Sequence, residues 1–114
     1  MYFDNIETIE LQDQLSRHEA KKNINRSDAE FQNLIDKIDE RGIRSEMARA
    51  ALLLQKFGDV RYTQMTGEEN PHKKQSLYPG ILHFYNQAIA LGKGLVNVEE
   101  MQKKVGELNK KTPG

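Results

Sequence analysis

Residues Asp28 to Gly58, DAEFQNLIDKIDERGIRSEMARAALLLQKFG, constrain the fold more than any other stretch of the chain. Ser27-Asp28-Ala29-Glu30 has the form of a capping box, in which the Ser and Glu side chains each close an orphan N–H at a helix start. Phe31, Leu34, Ile35 and Ile38 follow at the i, i+3, i+4, i+7 spacing of one helical face. Gly42 supplies the stop, because glycine takes up left-handed backbone at low cost. A second helix starts near Arg44 or Ser45 and is expected to end at Gly58. Met47, Ala50, Ala51, Leu54 and Phe57 form its stripe, Leu52 and Leu53 widen it, and only Arg49 and Lys56 keep a clear polar ridge. A helix apolar over so much of its girth is central, covered on several sides or at a dimer interface.

Other segments are organised around this hairpin. A first helix is expected from Asp4 to about Lys22, opened by Asp4 and Glu7 as a capping box. Phe3, Ile6 and Ile9 share one face of it, and Leu11 and Leu15 lie on nearly the opposite face. One helix with two apolar strips contacts two neighbours or bends near Glu10. Residues 20–26 are polar, with Ile24 as the single apolar anchor, and suit a linker or a short exposed strand. In the stretch Gly58 to Pro79, Val60-Arg61-Tyr62-Thr63 suits a brief strand or frayed helix and Thr66 to Lys74 lacks periodicity, so an exposed loop is expected. A helix from Pro79 to Leu91 carries Ile81, Leu82, Tyr85, Ala88 and Ile89, and Gly92 and Gly94 end it. Asn97 caps a last helix whose seam is Val98, Met101, Val105 and Leu108. The expected fold class is therefore mainly all-α, with about five helices. It has two variants, one with a short ribbon strand before residue 27 and one that is a plain helical bundle. A chain of 114 residues argues for one domain, 1–114, made of an N-terminal part (1–58), a loop (59–79) and a C-terminal helical pair (80–111).

Composition narrows the function classes. Apolar residues make up 37% and charged residues 30%, a thin core for one small monomer, and oligomerisation is a usual remedy. Cysteine is absent, which excludes disulfides and thiolate metal sites. No run approaches the roughly 20 apolar residues of a membrane span, and the acidic N-terminus is unlike a signal peptide, so a cytoplasmic location without membrane contact is expected. Net charge is zero, yet residues 1–40 hold ten acids and five bases (−5), and residues 41–114 hold seven acids and twelve bases (+5). His18, His72 and His83 have no ligand-spaced partner, Gly92-Lys93-Gly94 lacks the frame of a phosphate loop, and Asp36, Asp39 and Glu40 lack Ca²⁺-type alternation. A non-enzyme without cofactor or metal is the expectation.

Gly42-Ile43-Arg44-Ser45-Glu46-Met47-Ala48-Arg49-Ala50-Ala51-Leu52 resembles the start of the second helix in the ribbon-helix-helix DNA-binding family. The resemblance covers about residues 22–58 and implies a dimer whose paired strands enter the major groove. It implies duplex DNA contacts from Lys22, Asn23, Asn25 and Arg26 on the strand and from Arg44 and Ser45 at the helix start. Ile24, Met47, Ala50, Ala51, Leu54 and Phe57 would then form the homodimer interface. Tyr85-Asn86-Gln87-Ala88-Ile89-Ala90, Gly92 and the helix after Asn97 are similar to the tail of plasmid mobilisation accessory proteins. That similarity implies a DNA-binding accessory or regulatory factor of plasmid or phage type. The other expectation from the residues is a small helical module (an inhibitor, immunity or scaffold protein) that binds a protein partner and no DNA.

Overall fold

The structure, a computed structural model, describes residues 2–111, with side chains from Ile6 onward. It is mainly helical: α1 (Tyr2–Glu19), α2 (Ala29–Arg41), α3 (Arg44–Gly67), α4 (Pro71–Ser76), α5 (Tyr78–Gly92) and α6 (Glu99–Lys111). Five of these are long and α4 is little more than one turn. No strand forms among the described residues, so the plain helical bundle is the variant adopted. The expected capping box at Asp4 and the placement of Phe3 lie outside the described side chains.

Helix α2 has the expected stripe, with Phe31, Leu34, Ile35 and Ile38 all buried. Its cap sits one residue later than expected. Asp28, not Ser27, accepts from the Phe31 N–H at 3.0 Å, and the Ser27 hydroxyl turns back to Asn25 Oδ1. Gly42 ends the helix at φ 66°, its N–H reaching Ile38 O.

Helix α3 corrects the largest misreading. It does not stop at Gly58 but continues to Gly67, and α4 follows, so the expected loop 59–79 is mostly helical. Gly58 is buried inside α3 because the Tyr85 ring of α5 lies against it. A Cβ there would sit 2.6 Å from two ring carbons. The glycine serves a close helix–helix approach rather than a helix end. The α3–α5 contact is the most extensive in the molecule, and α3 also touches α1, α2 and α4. Phe31, Phe57 and Phe84 join α2, α3 and α5, with the Phe31–Phe57 pair edge to face at 5.5 Å. Met101 and Leu108 bury the inner face of α6, which packs on α5.

The polar ridge of α3 is a seam rather than a solvated face. Arg49 grips the Glu19 carboxylate at 2.6 and 2.9 Å and Ser16 Oγ at 2.8 Å. Lys56 donates to Glu19 O and Lys21 O, closing carbonyls at the C-terminus of α1. Beneath the seam Leu11 and Leu15 enter the core. His18 is buried with them. Its ring stands 5.1 Å from Phe31, its Nδ1 is 2.8 Å from Gln14 O, and its Nε2 has no partner.

Candidate functional site

The residues expected to touch DNA fall at two separate places. Lys22, Asn23, Asn25 and Arg26 lie on the irregular link between α1 and α2, and all four are exposed. Arg44 and Ser45 are exposed on the first turn of α3. Ile24 of the link is tied to Arg61, which donates to its carbonyl, and Arg61 is seventeen positions along α3 from Arg44. At 1.5 Å per residue this separates the two groups by about 25 Å.

The ribbon strand fails for a local reason. Asn23 Oδ1 accepts from the next residue's N–H at 2.8 Å, and Asn25 Oδ1 accepts from the Ser27 N–H at 2.9 Å. These short loops divert the backbone from a ladder. Ile24 is then drawn into the chain's own core at 7% exposure. Of the other residues assigned to a homodimer interface, Ala50, Ala51, Leu54 and Phe57 are fully buried within the single chain, and Met47 packs against the same core. Pairing through them would require opening the α3–α5 contact.

What the structure does assemble is a cleft between the link and α3, about 510 Å³ in volume, lined by Asn23, Ile24, Asn25, Arg26, Arg61, Ser76, Leu77 and Gly80. Arg61 is held firmly. It donates to Ile24 O, to Asn23 Oδ1 at 2.6 Å and to Phe57 O, and its guanidinium lies 4.6 Å from the Phe84 ring centre. Gly80 makes room for it, since a Cβ there would meet Arg61 Cδ at 2.9 Å. Burial, then the charge of Arg26, lowers the Arg61 pKa. Nearby, Gln32 Nε2 donates to His83 Nε2 at 3.0 Å, and Gln32 and Gln87 pair through their amides. Burial comes first, then Arg26 and Arg61, in lowering the His83 pKa, so the imidazole is held neutral and can accept from Gln32. Arg61 was not picked out from the sequence, because it fell in a stretch without periodicity. Its only local signal was a cation one helical turn after Phe57.

A second feature is on α1. The inner strip, Leu11 and Leu15, is sealed, whereas Ile6 is 52% exposed and Ile9 67%. Glu10 and Asp13 share that outer face by helical spacing and are exposed. Leu52, on the outer face of α3, is 54% exposed, and Ile43, just before α3, is exposed too.

No family model, curated protein or solved structure matches the chain. Among the described residues no helix is long and apolar enough to cross a membrane.

Proposed function

We propose that the chain is a non-enzymatic helical protein-interaction module, of the inhibitor or scaffold kind, and that the outer face of α1 is its docking element. The observation that carries this reading is the exposed Ile6–Ile9 strip on a helix whose opposite strip is already sealed in the core. A helix fixed on one side and apolar on the other presents a preformed i, i+3 anchor pair, the form in which helices enter grooves of other proteins. Glu10 and Asp13 beside the anchors select a groove rimmed by basic side chains.

The test is a photo-cross-linking residue placed at position 9 of the full chain in the cells that produce it. One predominant adduct with a different protein is expected, lost when Ile6→Ser is added and absent from the same cross-linker at the exposed Gln102 of α6. Equal adducts from positions 9 and 102, or adducts only with other copies of the chain, would overturn the reading.

Duplex DNA binding is the second reading, favoured by Lys22, Asn23, Asn25 and Arg26 standing together on one exposed link. It predicts salt-sensitive anisotropy changes with labelled duplex that weaken on Lys22→Ala. No binding at low salt would remove it.

A further inference from the structure

We infer that the cleft between the α1–α2 link and α3 is a binding site for a phosphate-class oxyanion, with Arg26 and Arg61 as its two cationic arms. This is independent of α1's outer face and stands or falls separately from the docking proposal.

Three observations converge on it. Both guanidiniums line one cleft, and neither forms an ion pair among the described residues. Two like charges sharing a partly buried cleft without a carboxylate repel each other, and an anion between them relieves that repulsion. The two asparagine side-chain oxygens and the Ile24 carbonyl are already occupied from within. Asn23 Oδ1 takes the Ile24 N–H and Arg61, Asn25 Oδ1 takes the Ser27 N–H and hydroxyl, and Ile24 O takes Arg61. Each amide oxygen is identified by its donors, so each Asn keeps its NH₂ as the free group.

What remains for a ligand is therefore donors. Arg61 engages three of its five N–H groups internally and keeps two, and Arg26 has no internal partner among the described residues. Donors from the link and from α3 approach from different directions. A tetrahedral anion spreads three or four acceptor oxygens over several directions, whereas the lone-pair sites of a carboxylate lie in one plane, so the tetrahedral ion suits donors that converge from two elements better. Gly80 and Phe84 fix where Arg61 stands, so that arm is preorganised, while Arg26 lines the cleft as an exposed side chain.

Inorganic phosphate is the probe, titrated into the ¹⁵N-labelled full chain against sodium chloride and sodium acetate at matched ionic strength. Saturable shifts are expected at Ile24, Asn25, Arg26, Arg61 and Gly80 with phosphate, no saturation with chloride, and at least tenfold weaker binding of acetate. Arg26→Ala should weaken phosphate at least fivefold without changing the melting temperature, Arg26→Lys should restore part of it, and Ser76→Asp, which puts a carboxylate in the cleft, should abolish it. A random-sequence duplex added in competition separates the sources. Displacement of phosphate assigns the site to a nucleic-acid backbone, and no displacement assigns it to a small phosphorylated molecule. Equal responses to phosphate and chloride, or an Arg26→Ala protein that binds phosphate as the parent does, would overturn the inference.

Discussion

At the scale of single residues, the glycines and one tyrosine show how tightly α3 and α5 meet. Alanine at position 58 would gain about 1 kcal/mol of helix propensity if nothing stood beside it. Here its methyl group would overlap the Tyr85 ring at 2.6 Å. Gly58→Ala is therefore expected to destabilise by about 2 kcal/mol in urea unfolding, the range for overpacking a core, and a more stable variant would contradict the packing described. The Tyr85 hydroxyl donates to Asp59 Oδ1 at 2.5 Å. Burial first, then that hydrogen bond, pushes its pKa far above the ordinary tyrosine range. The folded chain keeps this proton while the unfolded chain loses it near pH ~10, so stability is intact below that pH and falls as pH rises past it. Ultraviolet titration of the four tyrosines should leave at least one protonated until helical circular dichroism is lost. Ionisation of all four in the folded protein would contradict the burial. Neither role was legible in the sequence, where Gly58 looked like a helix end. A glycine that stops a helix and one that admits a ring differ only in what the rest of the fold brings to it.

At the scale of elements, the five long helices, the α2 stripe, the Gly42 stop and the Asn97 turn before α6 were legible, because each rests on neighbours in sequence, whereas the second half of α3 and the short α4 were not. Asn97 Oδ1 accepts from the Glu99 N–H at 3.0 Å, as its position before the last helix implies. What local pattern did not reveal was the function of polar groups between elements. Arg49 and Lys56 looked solvated and instead bind α1 to α3. Glu46, which stood in the sequence as part of the Arg44-Ser45-Glu46 helix start, is 4% exposed and pairs with Arg41 through 2.9 and 3.0 Å contacts. Arg41 in turn donates to Thr8 Oγ1 at 2.8 Å and stands 3.3 Å from Glu7, so this pair joins α1, α2 and α3. The Arg44-Ser45-Glu46 start thus has a structural use for its acid, whereas its Arg and Ser face solvent. Removing one member of a buried pair strands the other charge. Glu46→Ala is expected to cost about 3 kcal/mol in chemical denaturation, with Glu7 still near Arg41 to limit the loss. A change under about 0.5 kcal/mol, the size of an ordinary surface substitution, would contradict this role. By the same rule Ile6→Ser with Ile9→Ser should leave stability within about 0.5 kcal/mol, since those side chains are solvated in the single chain. A larger loss would place them in the core.

At the scale of the whole molecule, the extents are 53 × 25 × 21 Å, longer than the roughly 36 Å of α3 itself. The apolar girth of α3 suggested either a central helix or a dimer seam, and pattern alone could not separate these, because both bury the same residues. In the structure α5, α2 and α1 cover it within one chain. The strip on α1, Leu52 on the outer face of α3 and the cationic cleft are exposed outside that covered face. Ile6 and Ile9 showed in the sequence as a second apolar strip, whereas the cleft did not, because Arg61 reaches it only through the fold, stacked on Phe84 and bonded to the Ile24 carbonyl. The chain covers the inner face of its own α3 and leaves Leu52 exposed on the outer face, so no second copy is needed to complete the core. The most direct measurement is the unfolding midpoint of the purified chain over a roughly hundredfold range of concentration, because any interface that stabilises the fold raises that midpoint by mass action. A midpoint independent of concentration is expected, with the slowest-exchanging amides in Ala50 to Phe57. A midpoint that climbs with concentration, together with loss of protection in Ala50 to Phe57 on dilution, would show α3 to be a subunit interface and contradict that expectation.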